Sequence, residues 1–254
     1  MSAAELAASG VILQIDGALA TVTLSRPRRR NAMTPRLWRA LAQVGASLPG
    51  QVRVVVVRGA GPSFCAGIDV RLFSGGVPDE DPMPSAAQPG FEDLIASWQE
   101  GFLWLRDPAF VSIAAVQGHA IGAGFQLALS CDLRILTQDA QLCMKEPALG
   151  LVPDLTGTKP LVDIVGLPRA LELCLTARSV TADEAAQLRL AEMVVSAAEL
   201  DETVDDLVAA LLAIDPAAAR ATKALLAAAP GNSLAEQALA ERTAQTALLR
   251  ARLS

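Results

Sequence analysis

Two glycine-rich segments have the residue types and spacing best suited to chemistry. They span residues 61–69 (GPSFCAGID) and 118–124 (GHAIGAG), and each follows an apolar run. Backbone N–H groups at a turn between a strand and a helix lack partners, so two such turns facing each other could aim two donors at one carbonyl oxygen. The pattern predicts an oxyanion hole. The alternative is that each glycine only permits close packing of a strand on a helix.

The length and composition fit one large globular domain, or a core domain with a small appendage. The chain has 254 residues, of which 52% are hydrophobic and 19% are charged. It is therefore too apolar for a disordered protein and too long for a small disulfide scaffold. Its formal net charge of −6 argues against general binding to nucleic acid or to an anionic membrane.

The cysteines and the one histidine indicate neither disulfides nor a metal. The four cysteines form no CxxC pair, and His119 alone supplies too few soft ligands for a zinc site. We therefore expect reduced thiols in a cytoplasmic protein that holds no metal. The first residues lack the pattern of a secretory signal. Glycines and polar residues interrupt the uncharged stretch 108–131, so we expect no membrane span there.

The elements that position the two glycine turns follow an α/β pattern. A β-hairpin around an Asp-Gly turn is predicted over residues 11–24, followed by a helix that begins at Thr34 and Pro35. The four consecutive valines within 53–58 predict a strand that is buried on both faces.

Residues 73–90 combine glycine, proline and acidic residues, and this composition predicts an irregular, mobile loop. Strand, glycine turn and helix then recur as in right-handed β-α-β units. The predicted segments are helices at 91–105 and 122–130 and strands at 110–116 and 133–136. From Thr156 onward the pattern is almost wholly helical, with Thr181 and Ser233 as N-cap candidates.

Four motifs, in order, resemble the crotonase, or enoyl-CoA hydratase/isomerase, superfamily over nearly the whole chain. They are Arg26-Pro27 with Asn31-Ala32-Met33, residues 63–69, residues 118–124 with Cys131-Asp132, and Glu146 through Gly157-Thr158. The resemblance implies an α/β fold, a crotonase-like spiral of β-β-α units over residues 1–195 with a helical C-terminal trimerisation region over 196–254. It also implies a homotrimer or a dimer of trimers. The usual last segment of the superfamily, an acidic turn and a final helix, is not recognised in this sequence.

The substrate that the resemblance implies is an acyl-CoA thioester. Coenzyme A is then part of the substrate, and no separate cofactor is expected. Carried over by position, the resemblance assigns the N–H groups of Ala66 and Ala123 to the thioester oxygen. Each such donor is worth roughly 3–4 kcal/mol of barrier, because negative charge develops on that oxygen during the reaction.

The acidic residues at the positions that match the superfamily favour an isomerase. Hydratases of the superfamily use two glutamates to hold and split water, and here those positions hold Gln126 and Glu146. A neutral amide cannot take the proton of water. Asp154 supplies another carboxylate, and the dienoyl-CoA isomerases look similar at this position. We therefore predict that Glu146 and Asp154 move a proton between carbons of the acyl chain.

Other interpretations of these carboxylates remain open. The protein could be a hydratase that uses Glu146 alone or with Asp154, or a non-catalytic acyl-CoA binder. Asp154 could instead cap a helix, and Glu146 could be a surface glutamate beside Lys145.

Further residues are predicted to contact the substrate. Arg28 and Arg29 could meet the phosphates of coenzyme A, although an exposed arginine run is often only solvated. Trp98, Phe102 and Leu105 share a helix face that could line an acyl tunnel or belong to the core. The remaining predicted contacts are Ala32, Cys65, Gly67, Ile68, Asp69, Gly122 and Gln126. His119 and Cys65 are weaker candidates for catalysis, and Cys65 is better explained as core packing.

Overall fold

The computed structural model describes residues 1–73, 77 and 85–253. The predicted loop 73–90 therefore lies largely outside the described residues. Within those ranges, no helix combines the length and the apolar character that crossing a bilayer requires.

The main sheet begins with the predicted hairpin. Strand β1 (Val11–Asp16) pairs antiparallel with β2 (Leu19–Leu24), and Gly17 has a φ of 55° in the turn between them. Glycine enters this left-handed region without steric cost. The sheet then continues by parallel pairing through β3 (Val54–Gly59), β4 (Val111–Val116), β6 (Leu133–Thr137) and β9 (Met193–Val195).

A smaller sheet brings the second glycine turn into place. It contains β5 (His119–Ile121), β7 (Gln141–Cys143) and β8 (Val180–Thr181). The sequence does not predict these strands, because two or three residues are too few for an alternating pattern to emerge.

Helices cover the sheets and form most of the C-terminal part of the chain. They are α1 (Ala3–Ala8), α2 (Pro35–Ser47), α3 (Phe91–Leu103), α4 (Ala123–Ser130), α5 (Thr158–Thr176), α6 (Ala182–Gln187), α7 (Leu200–Leu212), α8 (Pro216–Ala228) and α9 (Leu234–Leu253). The N-caps predicted at Thr34, Thr181 and Ser233 are confirmed, since each hydroxyl accepts an N–H of the first turn.

The valine strand β3 is buried on both faces, as the sequence predicts. Val55 and Val57 contribute to the larger apolar cluster, which includes residues of α2. Val54 and Val56 face the other way, into a cluster completed by α7. The first helix of the predicted C-terminal region therefore shares the core of the sheet.

Lys223 helps to anchor helix α8 to the core. Lys223 Nζ donates to Asp132 Oδ2 at 2.7 Å and to the carbonyl oxygens of Asp107 and Phe110 at 2.8 Å and 2.7 Å. The 20-residue helix α9 follows, and none of its residues is buried. The described chain therefore does end in a long helix, although the sequence pattern did not identify the superfamily's final segment.

Candidate active site

The two glycine turns lie side by side, as the sequence predicts. The N–H of Cys65 donates to the His119 carbonyl at 2.8 Å, and the N–H of Ile121 donates to the Cys65 carbonyl at 2.9 Å. Gly67 has a φ of 88°, and a Cβ there would lie 2.6 Å from the Ile121 carbonyl oxygen. Only glycine therefore allows the two backbones to approach this closely.

The donor predicted at Ala66 is wrong. The Ala66 N–H donates to the Arg30 carbonyl at 2.9 Å, so it is not available to a ligand. The N–H of Ile68 has no acceptor among the described residues, and neither has that of Ala123, the first residue of α4. Ile68 and Ala123 both line the same cavity. The available pair of donors is therefore Ile68 and Ala123.

The cavity beside these two donors is predominantly apolar and contains both predicted carboxylates. Its volume is about 410 Å³, which falls within the usual range for a small-molecule site. Its walls are formed by Trp38, Ile68, Phe73, Ala86, Phe91, Ile95, Trp98, Ala123, Glu146, Leu151, Val152, Asp154 and Leu155. The cavity thus combines apolar walls, two unpaired backbone donors and two acids.

Glu146 is a buried acid and not a surface residue. Its side chain is only 8% exposed, and no ion pair joins it to Lys145 or to any other cation among the described residues. Oε1 accepts a hydrogen bond from Gln126 Nε2 at 2.7 Å, whereas Oε2 has no partner within the described ranges. Burial raises the pKa of Glu146, and the charge of Asp154 raises it further.

Gln126 is a positioning residue and does not contact the cavity. It is fully buried, and its Oε1 accepts the N–H groups of Leu155 at 2.9 Å and Gly157 at 3.2 Å. Because its Nε2 donates to Glu146, the amide links the acid to the segment around Asp154. The predicted substrate contact at Gln126 is therefore corrected to a contact with Glu146.

Asp154 is not a helix cap. Helix α5 begins at Thr158, and its N-cap position is occupied by Gly157. The side chain of Asp154 is half-buried in the cavity wall, and burial raises its pKa. Gln99 Nε2 donates to the Asp154 carbonyl at 2.7 Å and so ties this segment to α3.

The three residues predicted to line an acyl tunnel or to belong to the core do not share one environment. Trp98 lines the cavity, whereas Phe102 and Leu105 are fully buried in the core. Gly122 lies beside the acid, since a Cβ there would be 3.0 Å from Glu146 Oε1.

Several other predicted contacts hold the turn together and do not line the cavity. The Cys65 thiol is fully buried, donates to the Asn31 carbonyl at 3.1 Å, and has a pKa that burial raises to about 12. Asp69 binds Arg26 at 3.2 Å and Arg71 at 2.6 Å. The Ala32 carbonyl accepts a hydrogen bond from Arg26. These groups connect residues 26–32 to the turn that carries Ile68.

The remaining candidates lie outside the cavity wall. Arg28 and Arg29 are exposed on a short 3-10 turn, where a role toward coenzyme A stays a prediction. His119 is partly exposed, and its Nδ1 lies 3.1 Å from Ser63 Oγ.

Replacing Gly67 by Ala is expected to destabilise the protein by about 3 kcal/mol, from left-handed strain together with overpacking. The new Cβ would collide with the Ile121 carbonyl. Gly17→Ala is the matched control, because Gly17 also has a positive φ but has nothing within 4 Å of its added Cβ. Urea unfolding should show a cost of about 1–2 kcal/mol for Gly17→Ala, the strain alone. Equal costs at the two positions would contradict the close approach at Gly67.

Replacing Glu146 by Gln is expected to stabilise the fold increasingly as the pH rises. The pKa of Glu146 is higher in the folded protein than in the unfolded chain. The contribution of Glu146 to the free energy of unfolding therefore decreases as the pH rises from the unfolded pKa through the folded pKa. Gln removes that penalty and keeps an acceptor for Gln126.

Glu172→Gln is the control of opposite sign for this stability measurement, because Arg178 and Arg169 lower the pKa of Glu172 to about 2. Melting temperatures should be measured from about pH 4 to about pH 8. As the pH rises, the melting temperature of Glu146→Gln should increase relative to wild type. That of Glu172→Gln should decrease relative to wild type, by a smaller amount. A Glu146→Gln variant that loses stability as the pH rises would contradict the burial of this acid.

Comparison with known proteins identifies relatives over most of the chain. The profile of the enoyl-CoA hydratase/isomerase family matches residues 14–252. The chain is 31% identical over 218 residues to a short-chain-enoyl-CoA hydratase of Clostridium acetobutylicum, covering 85% of this chain and 80% of that one. It is 38% identical over 170 residues to the mitochondrial Delta(3,5)-Delta(2,4)-dienoyl-CoA isomerase of Rattus norvegicus, covering 65% of this chain and 51% of that one.

A solved structure extends the similarity to the whole chain. A candidate enoyl-CoA hydratase from Thermobifida fusca YX, in complex with CoA, is 64% identical with a TM-score of 0.96, covering 100% of this chain and 98% of that one. This agreement confirms the predicted α/β crotonase fold. The chain thus belongs to the enoyl-CoA hydratase/isomerase family of acyl-CoA enzymes.

Proposed function

We propose that the protein is an isomerase that shifts a double bond of an enoyl- or dienoyl-CoA through an enolate. The thioester oxygen accepts the N–H groups of Ile68 and Ala123, which are fixed before the substrate arrives. Negative charge develops on this oxygen when a proton leaves a neighbouring carbon. Loss of one such donor costs roughly 3–4 kcal/mol of barrier.

Glu146 and Asp154 transfer the proton in this proposal. One carboxylate takes a proton from a carbon of the acyl chain, and the electrons of that C–H bond form the enolate. The other carboxyl group gives a proton to a carbon further along, so the double bond moves and no atom is gained or lost. Burial raises the pKa of both acids, and two carboxyl groups in one apolar cavity can hold a single proton between them.

The hydrogen bonding of Gln126 is the observation that carries the choice of isomerase over hydratase. A hydratase needs a second base that can take the proton of water, and an amide cannot do so. Both polar ends of this amide are also engaged, with Glu146 on one side and Leu155 and Gly157 on the other. Asp154 is then the second acid that remains in the cavity.

Hydration of a 2-enoyl-CoA is the second candidate function. It is favoured by relatives whose names describe hydratases, from Clostridium acetobutylicum and Thermobifida fusca YX. In this case Glu146 would activate water alone or with Asp154.

Separate assays with 2-enoyl-CoA, 3-enoyl-CoA and 3,5-dienoyl-CoA distinguish these functions. We expect isomerisation of the 3-enoyl or 3,5-dienoyl thioester, with hydration of the 2-enoyl thioester slower by about 10²-fold or more, because one general acid–base group contributes that much. Consumption of the 2-enoyl thioester alone, with a 3-hydroxyacyl product, would establish the hydratase. Thermal stabilisation by all three without turnover would establish a non-catalytic binder.

Assembly and location extend this proposal. We propose a homotrimer or a dimer of trimers in the cytoplasm, with Arg28 and Arg29 near the phosphates of coenzyme A. Sedimentation of the purified protein, with and without CoA, tests the assembly.

A further inference from the structure

The indole N–H of Trp98 is buried and has no acceptor in the part of the chain that the structure describes. The side chain is 3% exposed, and Nε1 has no hydrogen-bond partner among the described residues. Its ring packs against Trp38 with 5.1 Å between centroids and meets Phe91 edge-on at 6.1 Å. A buried donor without a partner is costly and uncommon in folded proteins, so this N–H requires an explanation.

The wall around Trp98 offers no other unpaired neutral side-chain donor within the described ranges. Trp38 is the other described lining residue with a side-chain N–H, and its Nε1 donates to Met33 Sδ at 3.3 Å. The carboxyl groups of Glu146 and Asp154 carry out proton transfer in the proposed function, and the remaining lining side chains are hydrocarbon. Trp98 is therefore the neutral polar group with which this part of the wall can distinguish one acyl chain from another.

We infer that Trp98 Nε1 donates a hydrogen bond to an oxygen carried by the acyl chain. The preferred ligands are then acyl-CoA thioesters with a keto, hydroxyl or ether oxygen beyond the thioester carbonyl. Because Nε1 is itself buried, in this proposal the indole has to turn toward the cavity when such a ligand binds. The inference rests on the proposed function only in placing the acyl chain in this cavity.

The expected affinity ratio between an oxygenated and a hydrocarbon acyl chain follows from the hydrogen bonds that each chain loses and gains on binding. A hydrocarbon chain leaves the N–H unpaired, whereas an oxygenated chain loses its water but gains the N–H. A neutral hydrogen bond then yields a preference of about 3- to 10-fold in affinity.

Titration calorimetry on the full-length protein tests this preference without turnover. The probes are hexanoyl-CoA, 4-oxohexanoyl-CoA and 5-oxohexanoyl-CoA, which are saturated and differ only in one oxygen. We expect at least one oxo thioester to bind about 3- to 10-fold more tightly than hexanoyl-CoA, and Trp98→Phe to abolish this ratio. Wild-type protein that binds neither oxo thioester more tightly would overturn the inference, as would a Trp98→Phe variant that keeps the ratio.

Trp38→Phe is the matched control. It alters an indole in the same wall whose N–H is already paired. We expect it to change the affinities for the parent and oxo thioesters by the same factor, so that the ratio stays. If Trp38→Phe removes the ratio instead, the assignment to Trp98 is wrong.

Indole N–H resonances give a readout on the wild-type protein itself. The chain has three tryptophans, and the two variants assign the signals of Trp98 and Trp38. The Trp98 signal should move downfield with the preferred oxo thioester and not with hexanoyl-CoA. An unmoved signal would overturn the inference. Neither measurement involves turnover, so absence of isomerase activity would contradict the proposed function and leave this test intact.

Discussion

The Glu146→Gln variant is expected to isomerise its enoyl-CoA substrate about 10³-fold more slowly than wild type, within the range known for loss of a general acid–base group. The amide keeps the acceptor oxygen for Gln126 and nearly the same volume, so the cavity retains its shape. It cannot take a proton from carbon. We therefore expect the loss in kcat, with little change in the dissociation constant of a saturated acyl-CoA.

Glu100→Gln is the control for this change. Glu100 is an exposed glutamate on α3, so it reports the effect of losing one negative charge near the site without altering the cavity. Its activity should stay within about twofold of wild type, since an exposed charge contributes little. A Glu146→Gln variant with wild-type kcat would show that Glu146 does not act on the proton.

Much of the fold can be predicted from local patterns, because those patterns report burial and capping directly. The four valines of β3 indicate a strand buried on both faces, and both faces are covered. Thr34 followed by Pro35 marks the start of α2. The strands β5, β7 and β8 could not be predicted in this way, since tertiary pairing and not residue type forms such short strands.

The donors of the oxyanion hole illustrate where the sequence is insufficient. The pattern locates the turn correctly but not the N–H that stays unpaired. That choice depends on the bond from Ala66 to the Arg30 carbonyl, which lies 36 positions away in the chain. The parallel bridge to Met33 uses the Gly67 carbonyl and the Asp69 N–H, so the N–H of Ile68 between them takes no part in it.

The role of Gln126 also cannot be inferred without the tertiary structure. Its amide was recognisable in the sequence as a departure from the two-glutamate pattern of hydratases. Its function in holding Glu146 depends on Leu155 and Gly157, whose N–H groups occupy the other end of the amide. Residue type therefore indicated what Gln126 cannot do, and the contacts indicate what it does.

Asp154→Asn is expected to lower the isomerisation rate by about 10²-fold or more, because the second acid–base group is lost. It should also change the pH profile. Wild type needs one ionised and one protonated carboxyl, so its rate should fall at both low and high pH. In the variant the alkaline fall should disappear. The acidic limb should stay close to its wild-type position, because Asp154 is protonated and uncharged at the pH where Glu146 ionises.

Asp93→Asn separates this effect from a general loss of charge. Asp93 is exposed in the first turn of α3, so its replacement should leave both limbs of the profile in place. Asp154→Asn with a wild-type rate and an unchanged alkaline limb would leave Glu146 as the only acid in the reaction. One carboxylate cannot be both ionised and protonated at the same time, so the double-bond shift would then need another proton donor, and the pairing of Glu146 with Asp154 would have to be abandoned.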